Sequence, residues 1–369
     1  MKRVFFRQIY ETLKRYRVRL ILLVIFVALI ITLSQIKYIR SVSDFISSYI
    51  SFPVRNGLAF LCSFTDWSVA EWQLILFALF VAVFVICLIV ALIKNFRNFF
   101  SVLIRYLSFV SLVAAIIGFL VVLLLNVPYY SKSFSEKSGI VAEKSSTDDL
   151  YMTTKAVAML LKGSADSVSR DENGVFNEKL ETLFNLSPSV YRNIERDYPF
   201  LKGYELRAKK VLFSFALSTI RTTGVAYPLT GEANINIHQP AAYIPATIAH
   251  EIAHQRGISS ESEANFVAIL ACDLSGDNAY RYSGYLFAYG YLASALAEED
   301  YDRYLEITKT LPTGVLSDLK YHYEYWKQFE NEISEYTDSI YDDFLKSQGQ
   351  DLGIKSYGAV VDLLIAYYK

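Results

Sequence analysis

The sequence predicts a membrane-anchored, mainly α-helical protein: three transmembrane helices, then a larger domain with a small edge-strand sheet and a mostly helical C-terminal half. Three observations predict this class. Long uncharged apolar runs are confined to the first 130 residues, one polar–apolar alternating segment lies near residue 235, and helical patterns dominate after Ser260. Apolar residues make up 53% of the chain, which is high for a soluble protein.

Three uncharged stretches have the length and apolar character of membrane spans. They are Leu20 to Ile36, Trp72 to Ile93 and Tyr106 to Val127. A helix needs about 20 apolar residues to cross the hydrocarbon core. The first stretch is shorter, but the flanking Arg19 and Lys37 can extend to the interface. Because no small-residue cleavage site follows it, we expect an uncleaved anchor.

Basic residues predict the orientation of these spans in the cell membrane. Seven lysines and arginines precede the first span, and the loop between the second and third spans carries Lys94, Arg97 and Arg105 without an acidic residue. Positively charged segments of this kind stay in the cytoplasm. The N-terminus is therefore predicted to be cytoplasmic, and everything after Val127 is predicted to be extracytoplasmic.

The chain divides by composition into a membrane region over residues 1–130, a polar linker over 131–150 and an extracytoplasmic domain over 151–369. Apolar periodicity predicts several helices in that domain. They are expected at Met152–Leu161, Phe176–Phe184, Val190–Tyr198, Ala208–Ile220, Trp326–Phe344 and Gly358–Tyr368. The last of these is too short to cross a membrane.

The domain contains a metal-binding motif, because residues 250–254 read His-Glu-Ile-Ala-His. Histidines four apart share one helix face, so His250 and His254 can reach one metal ion. Glu251 is placed to take a proton from a water that the metal activates. Pro245 suits the first turn of this helix, and Gly257 suits a sharp turn after it. The pattern predicts one catalytic Zn²⁺ per chain with Glu251 as the catalytic base.

The third metal ligand is expected just after that turn, since catalytic zinc sites commonly have three protein ligands and one open position. Glu261 and Glu263 are the candidates. They would point roughly 160° apart on a helix, so only one can face the metal. We assign Glu261, because Asn265 then shares its face and can support a ligand. Glu263 is the alternative ligand, or else a solvated or capping carboxylate.

One segment has the alternation of a half-buried strand. Ile235 and Ile237 alternate with Asn234 and Asn236, within the convincing strand region Thr222 to Ile237. In zinc peptidases an edge strand beside the metal helix often receives the substrate backbone as an added strand. Asn234, Ile235 and Asn236 are therefore predicted to form a substrate edge strand.

The two other histidines are expected to be structural. His238 follows the strand, where hydrogen bonding is the commoner role, and metal ligation is its alternative. His322 lies in an aromatic-rich helical stretch, and contact with a transition state is its alternative. The three cysteines form no metal or disulfide pattern, and a net charge of −1 gives no reason to expect nucleic acid as a partner.

Residues 250–257 and 261–266 resemble a bacterial membrane family classified as domain of unknown function 3810. Residues 230–234 and 356–364 fit as well, so the resemblance covers nearly the whole chain. More distantly, the chain is similar to gluzincin peptidases, in which the Glu of a Glu-x-x-Ala-Asn pattern is the third zinc ligand. That pattern falls on Glu261, although Glu261 follows His254 more closely than in many gluzincins. The resemblance implies a zincin-like α+β domain.

These features together predict a membrane-bound zinc-dependent hydrolase, with a metallopeptidase as the favoured type. Its expected partners are a peptide or protein substrate and the lipid bilayer. The alternative is a non-catalytic membrane sensor or assembly factor that keeps a structural metal site. Glu251 favours the enzyme, because a structural site needs no general base.

Overall fold

The structure is a computed structural model that describes residues 2–142, 145–350 and 357–369. Residues 143 and 144 of the predicted linker, and Ser356 of the tail that supported the family resemblance, lie outside the described residues. Contacts divide the chain into two compact units. Unit 1 comprises the residues up to Ser51 and Ala70–Ser131, and unit 2 comprises Phe52–Val69 and Lys132–Lys369.

Three described helices are long and apolar enough to cross a membrane: Arg17–Ile36, Val69–Lys94 and Phe96–Tyr130. Each contains one of the predicted spans, because an unbroken apolar run favours a helix that satisfies its own backbone hydrogen bonds. The first six α-helices are α1 Lys2–Arg15, α2 Arg17–Ile36, α3 Arg40–Ile46, α4 Phe52–Leu61, α5 Val69–Lys94 and α6 Phe99–Val121. The last turns of the third candidate span widen into a π-helix over Val122–Asn126 and then tighten into a 3₁₀ helix over Val127–Tyr130.

Unit 2 is mainly helical with a small sheet. Its elements before the metal motif, after α4, are α7 Phe134–Ser138, α8 Thr147–Ser164, α9 Leu180–Leu186, α10 Ile194–Asp197, β1 Lys209–Lys210, α11 Ser214–Thr219, β2 Gly224–Tyr227 and β3 Glu232–Ile235. The helices that follow are α12 Ile244–Gln255, α13 Glu261–Leu274, α14 Asn278–Glu299, α15 Tyr301–Thr308, α16 Thr313–Lys327, α17 Glu332–Ser347 and α18 Tyr357–Tyr368.

The core of unit 2 forms where α12, α13 and α14 pack on one another and α8 covers α14. Close approach of α13 and α14 depends on Gly284, since a Cβ there would lie only 2.5 Å from the Cβ of Cys272. Nearly every side chain of α12 and α13 is buried. The helices that carry the metal motif are therefore held by the best-packed part of the unit.

The sheet has three strands in the order β1-β3-β2. β3 pairs in parallel with β1 and antiparallel with β2, with Ala233 opposite Ala226. The prediction that Asn234, Ile235 and Asn236 form an edge strand is therefore wrong: Asn234 and Ile235 lie on the central strand, and Asn236 continues it by bonding Thr223. β3 is also buried on both faces and not half-buried as the alternation predicted, because its polar side chains Glu232 and Asn234 are enclosed as well. Alternation in the sequence does not reveal which strands flank a strand.

Four predicted helices differ from the structure. Within Phe176–Phe184 the helix begins only at Leu180, and Phe176 forms a β-bridge with Arg170. Within Val190–Tyr198 only Ile194–Asp197 is α-helical.

The other two differences have causes that the contacts show. Within Ala208–Ile220, only Ser214–Thr219 is helical, and Lys209–Lys210 forms β1 because its backbone bonds are taken by β3 and by residues 66–68. Trp326–Phe344 is interrupted: α16 ends at Lys327, and a new helix begins at Glu332. Asn331 caps that helix with its side chain, an interaction that apolar spacing alone does not report.

The predicted linker over 131–150 contains the docked helix α7. Its first residue, Phe134, is fully buried against Tyr198, Phe200 and Phe266. A capping box from Ser133 and Glu136 fixes the N-terminus of the helix. This segment therefore contributes to the core of unit 2.

Candidate metal centre

The metal motif lies on α12, which begins at Ile244 with Pro245 in its first turn and ends at Gln255. The turn that follows uses Gly257 at a φ of 92°, a backbone conformation that favours glycine. The backbone N–H groups of Gly257 and Ile258 bond back to the last turn of the helix. The chain therefore reverses within a few residues, and α13 starts at Glu261.

The reversal brings Glu261 to the two histidines. The Nε2 atoms of His250 and His254 lie 3.1 Å apart. Oε2 of Glu261 lies 3.3 Å from the Nε2 of His250, and Oε1 of Glu261 lies 3.5 Å from the Nε2 of His254. All three side chains are mostly buried. Two helices thus place three donor atoms around one point.

These separations are compatible with one metal ion. Zinc bonds to His nitrogen and carboxylate oxygen of about 2.0–2.2 Å imply donor–donor separations of roughly 3.3–3.5 Å in tetrahedral geometry. The two histidine nitrogens lie 3.1 Å apart, each has a different oxygen of Glu261 within 3.5 Å, and one donor atom from each residue lies within 4.8 Å of the other two. Two imidazoles and one carboxylate are also a donor set that zinc accepts in catalytic sites. The residues present fit a zinc ion with one position left for water or substrate.

The non-coordinating side of His254 is held by the backbone. Its Nδ1 lies 2.7 Å from the carbonyl oxygen of Ile258, which is positioned by the turn at Gly257. An Nδ1–H that donates to this carbonyl leaves Nε2 with its lone pair toward the donor cluster. Among the described residues, the buried Nδ1 of His250 has no hydrogen-bond partner. The contact that supports His254 comes from Ile258, and the supporting role of Asn265 stays a prediction.

The three donor groups are strongly coupled by charge. Burial opposes the charged form of His254, but the Glu261 carboxylate, through its charge and its hydrogen bond, outweighs burial and raises the pKa of His254 to about 9. Burial also opposes ionisation of Glu261, and His254 and His250 outweigh it and hold the pKa of Glu261 well below its ordinary value. The cluster therefore favours a positive charge between its donors, which a divalent cation can supply in place of a proton.

Glu251 lies beside this cluster and is almost completely buried. Burial raises the pKa of its carboxyl group, although the nearby histidines and a backbone hydrogen bond from Ala226 act in the opposite direction. The carboxylate packs directly on β2: a Cβ added to Gly224 would lie 2.6 Å from Oε1 of Glu251. A glycine inside a strand is a signal for such close approach, and it could have pointed to Gly224 in the sequence.

The structure places Glu263 away from the donor cluster. Its carboxylate oxygens accept hydrogen bonds from the backbone N–H groups of Phe134, at 2.7 Å, and Ser135, at 2.9 Å. Glu263 therefore caps the N-terminus of α7, where a negative charge is favourable. The helical spacing that separates it from Glu261 directs the two carboxylates to different partners.

The remaining histidines make other contacts. Nδ1 of His238 lies 2.6 Å from the hydroxyl of Tyr325. His322 stacks on Tyr243 and accepts a hydrogen bond from the indole of Trp326 at 3.0 Å. Burial lowers the pKa of His322 to about 4, so this ring is neutral. Neither histidine belongs to the cluster of donor atoms found in the described part of the chain.

Comparison with protein families gives one match. The model of a family described as "Protein of unknown function (DUF3810)" matches residues 46–365. The match spans part of the membrane region and includes all three donor residues. Comparisons with curated proteins and with solved structures give no match.

Proposed function

This chain belongs to the DUF3810 family, and we propose that it is a membrane-bound zinc-dependent hydrolase that cleaves peptide bonds. The observation that carries the proposal is the convergence of His250, His254 and Glu261 at zinc-like separations, with a buried carboxylate, Glu251, beside them. A metal site that only stabilises a fold requires four closed ligand positions and no such carboxylate. The arrangement therefore favours a catalytic site over a structural one.

In this proposal each residue has a defined task. His250, His254 and Glu261 would hold a zinc ion, which when bound would lower the pKa of a water molecule toward ~7 and polarise a carbonyl group. Glu251 accepts the proton of the attacking water at its carboxylate and passes it to the departing amine. Burial raises the pKa of Glu251, which moves it toward the neutral range that suits both accepting and donating a proton.

A peptide is favoured as the substrate class because β2 lies next to Glu251 with one side open. In the described part of the chain, β2 pairs with β3 alone. Thr223 accepts from Asn236 on the β3 side, so the backbone groups of Gly224 and the carbonyl of Ala226 point to the other side. An extended peptide can add to such an edge by backbone hydrogen bonds.

The test compares zinc content and hydrolysis of the full-length protein purified in detergent without chelator. Wild type is expected to contain one zinc per chain, and His254→Ala is expected to lose it. Glu251→Gln should keep the zinc and the fold but lose hydrolysis of a peptide library by about 10²–10⁴-fold, since glutamine cannot accept the proton. A wild-type protein that neither contains nor takes up zinc refutes the proposal.

The same variants separate the enzyme from the non-catalytic alternative. If the metal only holds structure, Glu251→Gln should correct the defect of a strain that lacks the gene as well as wild type does. His250→Ala should not correct it. If the protein is a hydrolase, neither variant should correct the defect.

A further inference from the structure

Unit 2 carries an exposed apolar surface outside the metal centre. We define this apolar surface as Phe60, Leu61, Phe64, Trp67 and Tyr204. Four of these side chains are more than half exposed, with Phe64 at 80% and Leu61 at 70%. Large aromatic and aliphatic side chains grouped in this way on an exposed face mark a binding surface.

The apolar surface is a fixed part of unit 2. The rings of Phe60 and Tyr204 lie 5.5 Å apart. Trp67 forms a parallel bridge with Lys210, beside β1. The ammonium group of Lys209 donates to two backbone carbonyls of the 61–66 loop. The loop is therefore held against the sheet by backbone pairing and a buried cation, and its aromatic side chains project from a defined position.

Charge near the apolar surface is neutralised. Asp66 is the one acidic residue between Leu61 and Val69, and its carboxylate lies 2.5 Å from the guanidinium of Arg207. Lys209 and Lys210 are buried, and both approach carboxylates of unit 2. The cost of moving this face from water to a less polar medium is reduced by these pairings.

The chain runs directly from the apolar surface into α5, and this connection identifies the bilayer as the less polar medium. α5, which is long and apolar enough to cross a membrane, begins at Val69, only two residues after Trp67. A residue at that position lies at the boundary of any bilayer that α5 crosses. Tryptophan and tyrosine are enriched at this boundary, where one end of the ring is apolar and the other is hydrated. We propose that the apolar surface inserts into the interfacial layer of the bilayer that α5 crosses.

The insertion would fix the position of the metal centre above the bilayer. α4, which carries Phe60 and Leu61, packs on the end of α12: Phe52 lies 3.5 Å from the Cβ position of Gly257, and Gly231 fits against the Arg55 backbone only because it lacks a Cβ. Gln255 donates to the Gly231 carbonyl at 2.7 Å. Since α4 is about 15 Å long, the apolar surface and the C-terminal end of α12 are linked through one rigid element.

The test measures where single nitroxide labels lie in the full-length protein reconstituted into phosphatidylethanolamine–phosphatidylglycerol vesicles. Cys62 and Cys87 are replaced by serine, and the fully buried Cys272 is kept. Labels are attached to Leu61→Cys, Phe64→Cys and Tyr204→Cys. Met159→Cys and Tyr301→Cys serve as controls, because these side chains are similarly exposed on unit 2 and distant in sequence from α5.

Oxygen concentrates in lipid and a nickel chelate stays in water, so their relaxation effects report depth. We expect an oxygen-to-nickel ratio several-fold higher at the three surface positions than at the two controls. Equal ratios would overturn the proposal. Labels shielded from both reagents would also overturn it, since they would indicate a protein partner or a second copy of the chain. A benzophenone amino acid at position 64 should form a lipid adduct, and one at position 301 should not.

Discussion

Gly224→Ala is the most informative single substitution for the proposed chemistry. Gly224 lies on β2, and its added Cβ would lie 2.6 Å from Oε1, 2.7 Å from Cγ and 2.9 Å from Cδ of Glu251. Ordinary contact begins near 3.4 Å. Because α12 is held by the core of unit 2, the Glu251 side chain is the part that must move.

The size of the effect follows from that displacement. Restoring ordinary contact moves the carboxylate by roughly 0.8 Å, and a misplacement of about 1 Å can cost around 100-fold in rate. We therefore expect kcat to fall by about 10- to 100-fold. The donor atoms of His250, His254 and Glu261 are not touched by the new methyl group, so zinc content should stay at one per chain.

The assay measures hydrolysis of the peptide library, zinc content and the thermal midpoint on the same preparations. Gly290→Ala is the matched control, because a Cβ at that helical position meets nothing within 4 Å. It should keep full activity and gain up to about 1 kcal/mol of stability. In a Glu251→Gln background, Gly224→Ala should add little further loss, since both changes act on the same group.

Wild-type hydrolysis by a folded Gly224→Ala protein would refute this reasoning, because the contact between β2 and Glu251 could then not position the base. Loss of zinc along with activity would refute it differently, by showing that the strand supports the donor atoms rather than the carboxylate.

Three further predictions concern charge, capping and topology. Glu263→Ala should lower the free energy of unfolding by about 1–3 kcal/mol, because the backbone N–H groups of Phe134 and Ser135 lose their acceptor. The zinc content of this variant should stay unchanged, whereas Glu261→Ala should lose zinc. The reverse pattern would exchange the roles of the two carboxylates. In metal-free protein, the pKa of His254 is raised from 6.5 to about 9, so the stability it contributes is complete below pH 6.5 and is lost as pH rises through 9. Chemical denaturation at pH 6 and pH 9 should show this loss in wild type and a smaller one in His254→Ala, and equal losses would contradict it. A reporter that works only outside the cytoplasm should be active when fused after Lys369, and activity of a cytoplasm-only reporter there would reverse the predicted orientation.

The predictions of the candidate membrane spans and of the helix with the two histidines agree with the structure. The three candidate spans follow from uninterrupted apolar runs, because membrane-spanning helices satisfy their hydrogen bonds within one segment. The helix with His250 and His254 follows from their four-residue spacing, and its end follows from Gly257, which adopts the positive φ that only glycine takes readily. Glu261 reaches the histidines because the turn between the two helices is short.

The wrong strand predictions concern partners that are distant in sequence, whereas the break within Trp326–Phe344 follows from a local cap by Asn331. β3 is central, and Lys209–Lys210 forms a strand, because backbone groups more than twenty residues away complete their hydrogen bonds. The contact of Gly224 with Glu251 joins residues on different elements, and no spacing rule reports it.

The sequence by itself therefore determined the membrane helices and the histidine pair, since each is set by the conformation of one continuous segment. The tertiary structure decided which carboxylate lies beside the histidines and which caps α7. It also decided which strand flanks Glu251 and how α4 packs on the end of α12. These depend on packing between segments far apart in the chain, where many sequences with the same local pattern could dock differently.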